Sequence, residues 1–262
     1  MTHLDRLIAT FRKKVKIAES IPNSLDAGTE LINHEDDGVR ESAAKVIGEA
    51  CNLLGPDTAD SILEQCVVDY ASTLSSCSPE TKHGMACTTR RIFSRPVGTE
   101  VDRETYETVS SVMQTLMADD KVMCKESACV ALGAVLGSST DVTSSIAAVE
   151  KSMLKCMDTK EELVVQQSAA KGLCIAAKLQ PGVFVTQDGL ALTNGALKLA
   201  LSGAQRVQFS YNDFLWLALD VEKGEEGLQE YLSIAHFDSQ KKMQQVFSKV
   251  LLKMKKMSFD DM

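Results

Sequence analysis

The sequence predicts an all-α protein, an α-solenoid built from about six helical hairpins. Three observations carry that prediction: a phrase of small residues that recurs, a regular spacing between its copies, and no stretch that sustains strand-like alternation. Residues 41–48 read ESAAKVIG, residues 126–133 read ESACVALG and residues 167–174 read QSAAKGLC, at offsets of 85 and then 41 residues. The first offset is close to twice the second. A copy is therefore due near residue 84, and residues 84–93, GMACTTRRIF, place Ala86 and Cys87 where Ala43 and Ala44 stand. One more step lands on residue 208, where QFSYNDFLWLAL puts Ser210 and Phe214 at the small and apolar positions.

A fixed period of about 40–47 residues marks paired-helix units of the HEAT and armadillo type. Small side chains let helices approach closely where they cross, and the bulkier Ile47, Leu132, Leu173 and Phe214 fill the space one turn on. The phrase reads as a packing device, not a catalytic motif. The chain is thus expected to be a single solenoid over 1–262. Its N-terminal helix occupies 1–23, and hairpins follow at 24–55, 56–96, 97–138, 139–181, 182–222 and 223–262.

Each element has its own justification. Leu4, Leu7, Ile8, Phe11, Val15 and Ala18 form a helical stripe over 4–19, closed by Pro22. A short helix near 24–33 precedes one over 37–54, whose face is read as Val39, Ala43, Val46, Ile47, Ala50 and Leu54. Asp36 or Asp37 can cap its start, because a short carboxylate accepts from the free N–H groups of a first turn. Gly55 and Pro56 stop it. Helix pairs follow at 57–75 with 79–94, 99–118 with 121–137, 142–157 with 160–178, 186–202 with 205–221, and 225–236 with 238–257, about thirteen helices in all.

Composition narrows the class of function. The chain of 262 residues is 44% hydrophobic, only 5% aromatic, and carries a net charge of −8, which argues against a surface dedicated to nucleic acid. The charge is unevenly placed. Residues 1–20 and residues 238–262 each carry +3, so the segment between them holds −14, an acidic body with two basic ends. Eight cysteines show no C-x-x-C pair and no zinc-type spacing with histidine, and most fall at apolar or small helix positions. They read as buried, reduced thiols, as in the cytosol or nucleus. No run of 18 apolar residues and no signal-peptide core is present, so no membrane partner is expected.

Chemistry-bearing motifs are scarce. There is no P-loop, G-x-G-x-x-G, G-x-S-x-G or H-E-x-x-H, so no enzyme, cofactor or metal ligand set is predicted. His83 lies four residues before Cys87, a spacing that lets base and nucleophile share a helix face; a core histidine beside a core thiol is the plainer reading. Glu161–Glu162 and Glu225–Glu226 sit at helix starts, where the dipole favours them.

The basic clusters are the candidate partner-binding residues. Arg90, Arg91 and Arg95 end a helix near a hairpin turn, where the dipole alone also favours cations. The stretch 238–257 is an amphipathic basic helix with Met243, Val246, Phe247, Val250, Leu251 and Met254 on one face and Lys242, Lys249, Lys253 and Lys256 roughly opposite. Such a helix either closes the last apolar face of a solenoid or meets a partner: a helix-binding protein, a membrane surface or RNA. Arg12, Lys13, Lys14 and Lys16 leave the same choice open at the other end. Phe214 and Trp216 fall on different helix faces, as core filling or a partner anchor.

Two stretches carry a family resemblance. HEDDGVRESAAKVIGEACNLLGPDTADSILEQCVVD at 34–69 and QRVQFSYNDFLWLALDVEKGEEGLQEYLSIAHFDSQKKMQQVFSKVLLKM at 205–254 resemble the C-terminal HEAT segment of the general control non-derepressible protein one family, large ribosome-associated translational activators. The resemblance runs from about residue 30 to the C-terminus and is looser between 95 and 200. It implies a non-catalytic, cytoplasmic scaffold with the ribosome and the starvation-response kinase of initiation factor two alpha as partners. Family members are far longer, and their kinase-binding segment lies mostly upstream of the part matched, so kinase binding by this chain alone is not implied. The alternative is a HEAT adaptor of another assembly, in transport, phosphatase or chromosome scaffolding.

Overall fold

In the computed structural model, residues 21–180 and 183–218 are described, and they are all α: ten α-helices and three 3-10 segments, with no strand among the described residues. The helix expected over 4–19 and every element beyond 218 lie outside them. Contacts divide the chain into two compact units, Met1–Val109 and Ser110–Met262.

In the first unit, α1 is described over residues 21–31 and α2 is Asp37–Leu54. Asp36 caps α2 as expected, its Oδ1 accepting from the Val39 N–H at 3.0 Å. Gly55, the one positive-φ glycine among the described residues (φ 103°), turns the chain so that Pro56 opens α3, Pro56–Cys66. Here the structure departs from the helix expected over 57–75. After Val67, at φ −133°, the chain runs as a 3-10 segment, Val68–Ser76. The β-branched pair Val67–Val68 disfavours continuation. Hydroxyls then compete for the backbone: Ser76 Oγ donates to the Thr73 carbonyl at 2.7 Å. α4, Pro79–Phe93, is capped by Ser78, whose Oγ accepts from the Thr81 N–H at 3.2 Å. A 3-10 turn at Pro96–Glu100 leads to α5, Arg103–Leu116.

The second unit holds α6 (Val122–Ser138), α7 (Val142–Cys156), α8 (Leu163–Leu179), a 3-10 turn at Val183–Val185, α9 (Leu190–Ser202) and α10, described over Gln205–Ala218. One stacking rule holds inside each unit. Even-numbered helices lie on one another, α2 on α4 in the first, α6 on α8 and α8 on α10 in the second. The repeated phrase sits on these helices. A Cβ added at Gly133 of α6 would stand 2.1 Å from the Gly172 carbonyl oxygen of α8, and one at Gly172 would stand 2.2 Å from the Cys129 carbonyl oxygen. Ala43, Ala44, Ala86, Cys87, Ala128, Cys129, Ala169 and Ala170 are all buried, as the packing reading requires. Phe214 packs edge-on to Phe184, with ring centroids 5.1 Å apart, while Trp216 is half-buried.

The register of α2 differs from expectation. Its buried face is Arg40, Ala43, Ala44, Ile47, Gly48, Ala50 and Cys51. Val46 (41% exposed) and Leu54 (43%) point away from that core, because small residues let the core stripe shift toward Arg40 and Gly48. Six of the eight cysteines are buried, Cys77 and Cys174 are half-buried, and all are free thiols. No helix among the described residues is long and apolar enough to cross a membrane.

Candidate functional site

The most polar part of the described core is the crossing of α2 and α4. Gly48 makes the approach possible: a Cβ there would stand 2.8 Å from Arg91 Cβ and 2.9 Å from its carbonyl oxygen. Close approach lets side chains from the first turn of α2 reach the middle of α4. Arg40 is only 2% exposed. Its Nε donates to His83 Nδ1 at 3.0 Å, and its Nη1 donates to the carbonyls of His34 at 2.5 Å and Glu35 at 2.8 Å. A guanidinium buried this deeply is tolerable only when its protons find acceptors, and here they tie the α1–α2 turn to α4.

Beside it, Glu41 gathers the far end of α4. Its carboxylate accepts from Arg90, from Arg91 Nη2 at 3.3 Å, and from the Cys87 thiol at 3.3 Å. About two turns on, Glu49 pairs with Arg95. Two glutamates of α2 thus hold three arginines at the C-terminal end of α4 and just past it, where cations also complement the helix dipole.

The electrostatics follow from this arrangement. Burial pushes the Glu41 carboxyl up, but the Arg90 and Arg91 guanidinium groups and the Cys87 hydrogen bond together outweigh it and hold the carboxyl below its ordinary value. Burial, then the Arg40 charge, pushes the His83 imidazole below its ordinary value. Burial, then the Glu41 carboxylate, pushes the Cys87 thiol up to about 12.

His83 and Cys87 do share a face, with Cys87 Sγ at 3.6 and 3.7 Å from the two ring nitrogens. The chemistry is nevertheless wrong for a nucleophile and its base. The thiol is held protonated, and the ring nitrogen nearest it already accepts from Arg40. A metal fits no better, although ligand atoms of Glu41, His83 and Cys87 lie within 4.8 Å of one another. Arginine only donates, so Nδ1 offers Arg40 its lone pair and the ring proton is assigned to Nε2. Both imidazole positions are then used, and three guanidinium groups repel a cation. The cluster is an interhelical clamp.

Of the candidate partner-binding residues, Arg90, Arg91 and Arg95 are brought together along one edge of α4 and engaged with Glu41 and Glu49. Side chains of Arg91 and Arg95 stay 35% and 37% exposed. Lys242, Lys249, Lys253 and Lys256 lie outside the described residues, as do Arg12, Lys13, Lys14 and Lys16. Sequence reading missed Arg40. The signal was present in its spacing, since position 40 stands three, four and seven residues before Ala43, Ala44 and Ile47 and so shares their face.

Comparison with known proteins agrees with this architecture. The family model described as "Stalled ribosome sensor GCN1-like, HEAT repeats" matches residues 11–261. No curated protein and no solved structure matches the chain. With nearly its whole length matched, the chain belongs to the GCN1-like HEAT-repeat family.

Proposed function

We propose that this chain is a non-catalytic scaffold segment that couples stalled or starved ribosomes to activation of the initiation factor two alpha kinase, in the cytoplasm. The observation that carries the reading is the family match over 11–261, whose description names a stalled-ribosome sensor. The site supports it. A clamp that spends its thiol, imidazole and carboxylate on holding two helices together serves a rigid surface, not turnover. The exposed edges of Arg91 and Arg95, with Lys242, Lys249, Lys253 and Lys256, are the proposed basic contacts to ribosomal RNA or an acidic partner.

Sedimentation of the purified chain through sucrose with ribosomes from starved and fed cells, at low and moderate salt, tests the reading. Association that weakens as salt rises is expected, because phosphate contacts release counterions. Absence from the ribosomal pellet at both salts, together with no kinase in affinity purifications, contradicts it. Recovery of a transport, phosphatase or chromosome assembly instead would place the chain among other HEAT adaptors.

A further inference from the structure

The acidic pair before α8 does not cap that helix with its side chains. Glu162 stands at the N-cap, yet its carboxylate accepts no cap hydrogen bond and is exposed. Glu161 instead pairs with Lys125 of α6 at 3.0 Å. Three residues before Glu162, Thr159 lies in the α7–α8 turn, exposed, with a hydroxyl that bonds no described residue. The turn closes without it: Asp158 Oδ1 accepts from the Lys160 N–H at 2.9 Å, and the Asp158 carbonyl accepts from the Glu161 N–H at 3.0 Å.

Beside Thr159 the turn and α9 enclose a cavity of about 360 Å³. The buried Met157 and Leu199 floor it, and the exposed Asp158, Thr159, Lys160 and Lys198 rim it. Gly195 brings α9 close here, since a Cβ on it would stand 3.0 Å from Leu154 Cδ2 and 3.1 Å from Met157 Cε of the α7 side. One turn on from Gly195, Lys198 therefore shares a cavity with the Thr159 hydroxyl.

We propose that Thr159 is a phosphorylation site for a kinase with a basic peptide groove, and that the phosphoryl group is held in this cavity by Lys160 and Lys198, tying the α7–α8 turn to α9. Asp158, Glu161 and Glu162 flank the hydroxyl with carboxylates, the complement of a cationic groove. The same carboxylates repel a free anion, so the site suits a phosphate fixed covalently beside the lysines, where its effective concentration is high. In the transfer, Thr159 Oγ1 attacks the γ-phosphorus of ATP, the bond to the bridging oxygen breaks, ADP leaves, and the hydroxyl proton passes to the catalytic carboxylate of the kinase. The product places a charge of about −2 between two ammonium groups.

The test incubates the purified full chain with ATP and an acidophilic kinase of the casein kinase 2 type, read by tandem mass spectrometry. Phosphate is expected on Thr159, with the rate lowered roughly tenfold by Glu162→Gln, the loss of one recognition charge. Phosphate on other residues only, none at all, or a rate that ignores Glu162→Gln overturns the site. Hydrogen exchange then asks whether the group is held. Phosphorylation is expected to slow exchange in α9 roughly threefold, and to leave it unchanged in Lys198→Gln. Exchange in α9 that ignores the phosphate, or slows equally in Lys198→Gln, overturns the tie to α9.

Discussion

Glu41 and Glu126 open the same phrase, one on α2 and one on α6, and their surroundings push them in opposite directions. Glu41 meets Arg90 and Arg91, which outweigh its burial and hold its carboxyl below the ordinary value. Glu126 is pushed up by burial, and Lys171 of α8 offsets that only in part. The helices behind them differ in the same way. α2 and α4 are joined by guanidinium, carboxylate, imidazole and thiol, whereas α6 and α8 meet backbone to backbone at Gly133 and Gly172. One repeated core phrase therefore supports two kinds of helix crossing, a charged clamp and a close small-residue contact. In the clamp the partners that decide stand 43–50 positions on from Arg40 and Glu41, on α4, whereas in the second unit the glycines that decide lie in the phrase itself.

The largest effect is expected where the close contact is broken outright. Ala169→Arg forces a charged chain into a fully buried site on α8; overpacking alone costs roughly 1–3 kcal/mol, and the unpaired charge adds to it. Circular dichroism should show loss of the cooperative thermal transition of the second unit, and an unchanged melting temperature would mean the phrase is not at the crossing. Gly172→Ala comes next. Its Cβ would stand 2.2 Å from the Cys129 carbonyl oxygen, a clash with backbone, so a loss of about 3 kcal/mol in urea unfolding is expected despite the better helix propensity of alanine.

In the clamp, Arg40→Met keeps an unbranched apolar stem but is shorter and removes the guanidinium protons. His83 Nδ1 and the carbonyls of His34 and Glu35 lose their donor, a cost of about 2–3 kcal/mol by the same unfolding measurement. The smallest and most discriminating pair is Glu41→Gln against Glu126→Gln. The first gives up part-exposed ion pairs and should destabilise by about 1 kcal/mol or less; the second removes a charge that burial disfavours and should be neutral or stabilising. If both shift stability the same way, the contrast between the two crossings fails.

Much of the fold is legible in the sequence because it rests on local chemistry. The period places the helices, Asp36 and Ser78 cap them, and Gly55–Pro56 breaks the chain where expected. The break at Val67 was not legible, since a helical stripe over 57–75 carries no information on how hydroxyls will compete for the backbone. The face of α2 was misread at Val46 and Leu54 for a related reason: apolar spacing fits two overlapping stripes, and tertiary packing chose the one that includes Arg40. The clamp was half visible. His83 and Cys87 announce themselves by spacing, but their partners Arg40 and Glu41 come from the preceding repeat, and no local pattern links residues more than 40 apart.

The central claim, that the α2–α4 crossing is held by charge and the α6–α8 crossing by close packing, is tested most directly by hydrogen-exchange protection factors at pH 7 and pH 5. The folded His83 binds its proton less readily than the ordinary imidazole, whose pKa is about 6.5, so below that value the unfolded chain binds more protons and the clamp loses stability as pH falls. Glu126 has the opposite sign: its folded carboxyl takes up a proton more readily than the unfolded one, and acid favours the folded form. Protection in α2 and α4 should drop at pH 5 while that in α6 and α8 holds. Equal losses at both crossings, or a loss confined to α6 and α8, would contradict the account.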